Sequence, residues 1–233
     1  MTNVITIDGP SGVGKGTISE YLSDELKWNY LNSGALYRSI AWVAINDSIN
    51  LSDVTGLEGA SKNIQFSLSN KKLRIKYKNM EINSLIYNEE VAKIASKVSS
   101  KSEVRQSIVN IQRAFKKEPG LVAEGRDMGS VIFPEAELKF FLTASIETRA
   151  ERRFKQLKDR KFNVSLPALI KDLDARDKRD KRRKSSPLVI PKGAFVIETD
   201  DLTVIEVKKL AKEKVNKTYG TNIWRALWKL SVQ

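Results

Sequence analysis

Apolar positions recur along the chain with a period that changes repeatedly, and each change marks an element. Val4-Ile5-Thr6-Ile7 is a short β-favouring run, after which Ile18, Leu22 and Leu26 recur at helical spacing. Trp28-Asn29-Tyr30-Leu31 reads as a second strand, and Leu36, Ile40, Val43 and Ala44 as another helical stripe. Turn signals occupy Asp53 to Gly59. The period then drops to two: Ile64-Gln65-Phe66-Ser67-Leu68 and Leu73-Arg74-Ile75-Lys76-Tyr77 alternate on either side of Ser69-Asn70-Lys71-Lys72, which predicts a β-hairpin, with Met80-Glu81-Ile82 as a third short strand. Val91, Ile94, Ala95 and Val98 predict one helix, and Val104, Ile108, Ile111 and Phe115 a second that ends before Pro119-Gly120. Leu121 to Glu124 and Leu138 to Leu142 read as buried strands, Phe195 to Glu198 as the last one. A helix from Ile146, another through Leu169, Ile170 and Leu173, and a final one from about Leu202 complete the pattern, with Lys155 to Asn163 expected as a mobile basic loop.

Strands alternating with helices predict an α/β fold, a three-layer α/β/α arrangement with a parallel central sheet. The antiparallel hairpin interrupts that order and reads as a small inserted domain. The expected layout is a core of 1–58 and 96–217 with a basic lid at about 154–166, an insert at 59–95, and an amphipathic tail at 218–233. The tail, with Trp224 and Trp228, is expected to dock on its own domain.

Composition narrows the chemistry. The 233 residues, 41% of them apolar, suffice for a full core. There is no Cys and no His, which removes thiolate nucleophiles, disulfides, Ser-His or Cys-His catalysis and the usual zinc sites. Chemistry must run on Lys, Arg, carboxylates, hydroxyls and a bound metal. The net charge of +13 implies acidic partners. From Glu147 to Lys184 there are 15 Lys and Arg against 7 Asp and Glu, a local +8. A concentrated basic stretch suits phosphate substrates better than a diffuse nucleic-acid footprint. With no leader pattern and no membrane-length apolar run, a cytoplasmic protein without membrane or nucleic-acid partners is expected.

The first strand empties into Gly9-Pro10-Ser11-Gly12-Val13-Gly14-Lys15-Gly16-Thr17, whose G-x4-G-K spacing is that of a P-loop. Its glycines let successive backbone N–H groups point inward, and the following helix adds its positive dipole end. Lys15 reaches the β- and γ-phosphates of a bound nucleotide in such loops. Gly16 fills the usual hydroxyl slot and Thr17 supplies the hydroxyl one residue later, so Thr17 is the candidate metal contact, largely through water. Arg38 lies off the apolar face of its helix; most arginines in that position are simply solvated. Gly125-Arg126-Asp127-Met128-Gly129 follows a buried strand directly, and ligands in open α/β sheets sit beyond the carboxyl ends of strands. A structural ion pair is the competing reading of Arg126 and Asp127.

In their order and spacing, Gly9 to Thr17, Asn32-Ser33-Gly34-Ala35-Leu36-Tyr37-Arg38, Gly125-Arg126-Asp127-Met128-Gly129 and the cluster from Arg176 to Arg183 resemble the bacterial cytidylate kinase family over about Val4 to Leu202. The resemblance implies that ATP is the phosphoryl donor with Mg2+, and that CMP or dCMP is the acceptor. It implies that Ser96, Arg105 and Asp127 address the cytosine edge, that Arg38, Arg126 and Arg183 hold the monophosphate, that Asp180 takes the ribose hydroxyls with Arg176 supporting it, and that Ser33 lies beside the acceptor. Arg152 and Arg153 are expected to close over the transferring group from the lid. The family usually has Asp where this chain has Asn32, which bears on metal coordination. A monomer is implied. Other P-loop classes fit less well: there is no Asn-Lys-x-Asp guanine motif, shikimate and adenylate kinases leave the hairpin insert unexplained, and no recognition helix supports a nucleic-acid motor.

Overall fold

The computed structural model describes residues 2–159 and 162–224. In chain order, β1 (Val4–Asp8) leads to α1 (Lys15–Leu26), β2 (Asn29–Asn32), α2 (Ser33–Asn46) and α3 (Val54–Asn63). A hairpin of β3 (Ile64–Ser69) and β4 (Lys72–Tyr77) follows, then β5 (Met80–Glu81), α4 (Glu89–Val98) and α5 (Ser102–Arg113). The chain returns through β6 (Leu121–Gly125), a wide turn at Met128–Ile132, β7 (Leu138–Thr143), α6 (Ile146–Asp159), α7 (Leu166–Arg182), β8 (Phe195–Glu198) and α8 (Val204–Tyr219), and reaches a short 3-10 turn at Thr221–Trp224.

The main sheet has the order β2-β6-β1-β7-β8 with every pair parallel, so β1 lies at its centre. All five residues of β1 are buried, as are all five of β6. A continuous apolar run is what a strand covered on both faces requires. The alternation survives in where the side chains go. Ile5, Ile7 and Val122 join Leu22, Leu26, Val207 and Ala211 in the core under α1 and α8, whereas Val4, Leu121 and Ala123 join Leu36, Ile40, Val104 and Ile108 in the core under α2 and α5. The three-layer reading of the sequence is therefore correct.

The hairpin and third strand form a separate antiparallel sheet, order β3-β4-β5, with Leu68 opposite Leu73 and Tyr77 opposite Met80. Its Ile75, Tyr77 and Ile82 pack into the same core as Leu36 and Ile40, and Lys71 O accepts from Tyr30 N at 2.8 Å, so the hairpin turn seats on the outer edge of β2. The sequence reading differs from the structure in two segments. Asp53 to Gly59 is not a turn: Asp53 caps α3 by accepting from Gly56 N at 2.9 Å, and burial of Leu57 and Ala60 against α5 outweighs the glycines' low propensity. Both expected limits of the insert thus fall inside helices, α3 and α4. Likewise the expected loop from Lys155 is helical through Asp159, because Leu157 is buried; residues 160 and 161 lie outside the described part. The final helix starts at Val204 behind a capping box of Thr203 and Glu206. Of the tail, Ile223 and Trp224 pack on the α1–α8 core, as expected, and 225–233 lie outside the described residues. No helix among the described residues is long and apolar enough to cross a membrane.

Candidate active site

The phosphate loop leaves the central strand and enters α1 within six residues, and Gly9, Gly12 and Gly14 all take positive φ there. Gly9 has φ of 145°, and a Cβ there would lie 2.1 Å from Leu142 O, because the loop crosses the backbone of β7. Gly14, with φ of 90°, occupies the N-cap of α1 in the left-handed region and supplies no side-chain cap. The first N–H groups of α1 therefore stay available to an anion. Lys15 is buried, and its Nζ donates to Pro10 O at 2.6 Å across the loop. Burial, with Arg126 and Arg176 nearby, holds its pKa well below the usual lysine range against the pull of Glu124 and Asp8. Positive charge is in excess here, which a polyphosphate would neutralise.

Arg149 and Arg176 buttress the loop from outside. Arg149 Nη1 donates to Ser11 O at 3.1 Å while Nη2 pairs with Asp177 at 2.6 Å, and Arg176 Nη1 donates to Ser11 Oγ at 3.2 Å. Arg149 is 2% exposed, and its Cβ lies 3.2 Å from where a side chain on Gly12 would begin. Within the predicted loop, Val13 packs in the core under α1, Gly16 faces Glu124, and Thr17 is exposed at the mouth of α1.

Beyond the carboxyl ends of β1 and β6 a polar cavity opens between α2, α4, α5 and α7. Ser33, Arg38, Arg105, Arg126, Asp127, Arg176, Asp180 and Arg183 all line it, eight of the predicted acceptor residues from four separate segments. Its charges are cross-braced. Arg105 pairs with Asp127, both nearly fully buried, and its guanidinium lies over the Tyr37 ring at 5.3 Å. Arg126 Nε donates to Asp180 at 2.9 Å, and Arg183 approaches the other Asp180 oxygen at 3.8 Å. Burial pushes the Asp180 carboxyl up, but Arg126, Arg176 and Arg183 together outweigh it and hold it below its usual range. Arg38 donates to Ile86 O at 3.0 Å and lies over Tyr87, so it is not the solvated arginine its sequence position suggests.

Three predicted residues stand outside this wall. Ser96 is buried behind it, taking Arg179 Nη2 at 3.3 Å. Arg152 is spent on Thr199, donating to Oγ1 at 2.9 Å and to the backbone oxygen, and Arg153 pairs with Glu89 of α4. Neither arginine touches the phosphate loop in this conformation.

The structure adds residues that sequence reasoning missed. Tyr37 and Ser99 line the cavity, the Tyr37 hydroxyl buried without a partner. Gln112 Nε2 donates to Ser33 Oγ at 2.7 Å from within α5. Glu124, buried at the end of β6, accepts from Tyr30 at 2.6 Å, and burial raises its pKa against the pull of Lys15. Asp8 is wholly buried at the end of β1. A carboxylate closing an otherwise apolar strand was the available signal for Asp8 and Glu124; Arg149, Tyr37 and Gln112 look like ordinary helix residues until the helices are packed. Asn32 caps α2, accepting from Ala35 N at 3.1 Å, and lies opposite Glu124 in the β2–β6 register.

The sequence model of the cytidylate kinase family matches residues 5–217. The chain is 41% identical over 209 residues to the cytidylate kinase of Aeromonas salmonicida, covering 89% of this chain and 91% of that one. Against the cytidylate kinase of Coxiella burnetii identity is 44% over 205 residues, 86% of each chain. Among solved structures, an uncharacterized protein from Eubacterium ventriosum superposes with a TM-score of 0.52 at 11% identity, covering 93% of this chain and 99% of that one, a likeness of fold alone. A phosphate loop facing an arginine-braced cavity, and a family match spanning nearly the whole chain, agree: this chain belongs to the cytidylate kinase family.

Proposed function

We infer that the chain transfers the γ-phosphoryl group of ATP to CMP or dCMP, giving ADP and CDP or dCDP. The observation that carries this is the meeting of two anion sites at Arg176, which lines the acceptor cavity beside Arg126 and donates to Ser11 Oγ of the phosphate loop at 3.2 Å.

An oxygen of the acceptor phosphate attacks the γ-phosphorus while the bond to the β,γ-bridging oxygen breaks, and ADP leaves with the electron pair. Because the second pKa of a phosphate monoester is ~6, that oxygen is already mostly deprotonated at neutral pH and no general base is needed. This suits a chain without histidine. The work left to the protein is alignment, charge neutralisation and exclusion of water. Gly9 to Gly14 with Lys15 hold the donor phosphates; Arg38, Arg126 and Arg183 hold the acceptor phosphate; Asp180 takes the ribose hydroxyls, with Arg176 in support.

At the far end, Ser96, Arg105 and Asp127 read the base. Asp127 accepts from the cytosine amino group, and the carbonyl of uracil would leave that carboxylate facing another acceptor. The lid near 154–166 and the insert near 59–95 close on the bound pair, and closure releases Arg152 and Arg153 from Thr199 and Glu89 to join Lys15 on the transferring group. Magnesium fits the chemistry of the donors present: the Thr17 hydroxyl and the Glu124 carboxylate would hold it, and a nucleotide-borne magnesium needs only one or two protein oxygens besides phosphate and water. When bound, it would neutralise charge on the β- and γ-phosphates. A monomer working in the cytosol, with nucleotides as its partners and no membrane or nucleic acid, follows from the resemblance.

Coupled release of ADP tests this against a panel of CMP, dCMP, UMP, AMP and single-stranded DNA. Stimulation by CMP and dCMP, weak turnover of UMP, and loss of turnover in Lys15→Met are expected. Stimulation by DNA, or a Lys15→Met variant with an undiminished rate, overturns the assignment.

A further inference from the structure

We propose that Asp8 is a positioning residue that ties the phosphate loop to the turn carrying Asp127, so that one buried carboxylate sets donor and base-reading sites in register. The inference rests on Asp127 reading the base. Asp8 closes β1 and is followed at once by Gly9. Its Oδ1 accepts from Met128 N at 2.9 Å and its Oδ2 from Gly129 N at 2.7 Å. It is 0% exposed, and among the described residues no cationic side chain forms an ion pair with it. The neighbouring Lys15 Nζ donates to Pro10 O.

Burying a carboxylate without a cation is costly, so its retention calls for a use. The two N–H groups it holds begin the wide turn Met128–Ile132, immediately after Arg126 and Asp127. That turn is also pressed onto β1: a Cβ on Gly129 would lie 2.7 Å from Thr6 Oγ1. The contact at Asp8 therefore fixes two things together, the exit of the central strand into the phosphate loop and the backbone on which Asp127 stands. The carboxyl group has an acceptor oxygen for each amide. The isosteric amide offers one acceptor and turns an N–H toward the other, which frees one end of the turn.

Asp8→Asn is the test, read as the ratio of kcat/KM for CMP to kcat/KM for UMP. The fraction of active protein and the ionisation of the shared monophosphate cancel in that ratio, so a merely structural lesion leaves it unchanged. A fall of about tenfold or more is expected, the scale of one charge-assisted hydrogen bond. A ratio equal to that of the parent, with both kcat/KM values reduced in parallel, overturns the proposal. Removing the buried charge relieves its desolvation, so the variant should fold; should it precipitate, Asp8→Ser, which also lacks the second acceptor, is read in the same way. Asp127→Ala separates the two levels. If it keeps the preference for CMP, the base-reading assignment itself fails; if it loses the preference while Asp8→Asn keeps it, only the role of Asp8 fails.

Discussion

The strut between α6 and α7 offers the sharpest test of how the phosphate loop is held. In Asp177→Ala, Arg149 loses the partner that sits 2.6 Å from Nη2, in a pair whose side chains are only 3% and 9% exposed. Removing one member of a buried pair costs about 3–5 kcal/mol. Arg149 keeps three carbonyl acceptors, those of Ala144, Ser145 and Ser11, so the lower end applies, about 3 kcal/mol. At roughly 2–4 °C per kcal/mol for a chain of this size, the melting temperature should fall by about 6–12 °C. The guanidinium also grips Ser11 O, so ATP should rescue the variant less than the parent, whose melting rises with saturation by ATP. Thermal melts with and without ATP, at fixed protein concentration, read both effects. The double variant Arg149→Met with Asp177→Leu fills the same space without charge and should recover most of the lost stability, but not the response to ATP. A single variant melting within about 2 °C of the parent, or a double variant no more stable than the single, would refute the strut.

Two further outcomes follow from the same structure. Burial raises the Asp8 carboxyl from 3.8 to about 7; between those values the folded state binds more protons than the unfolded chain, so this group lowers stability as pH rises from about 4 to 7, by roughly 4 kcal/mol at 1.36 kcal/mol per pH unit. Denaturant titrations at pH 4.5 and 7.5, chosen to bracket most of that window, should therefore show a smaller loss in Asp8→Asn than in the parent, and parallel losses would contradict the raised value. Asn32→Asp keeps the cap of α2, since both residues cap well, and places a second carboxylate opposite Glu124. The magnesium concentration for half-maximal rate should drop severalfold with little change in melting, and an unchanged magnesium curve would take this position out of metal handling.

Local patterns in the chain determine a good deal here. A glycine loop after a four-residue apolar run, and helical stripes between strands, are consequences of short-range sterics and of burial on a fixed period, so β1, the loop, α1, the hairpin and the main helices can all be read in order. Asp127 stands out by following a buried strand directly, whereas Arg105, Asp180 and Arg183 are singled out by likeness to a family, because nothing in their neighbours says which charge each one meets.

What tertiary packing alone decided is the pairing. Leu57 and Ala60 form a helix through two glycines because α5 covers them. Arg149, with helix neighbours as basic as itself, becomes a buried brace because α7 brings Asp177 to it, 28 residues along the chain. Arg38 turns from solvent to Ile86 O, and Asp8 reaches amides 120 and 121 residues away. A periodicity fixes which face of an element is apolar, but the partner of a buried charge lies on another element, and only the docking of the two sets whether that charge is solvated, paired or left waiting for a ligand.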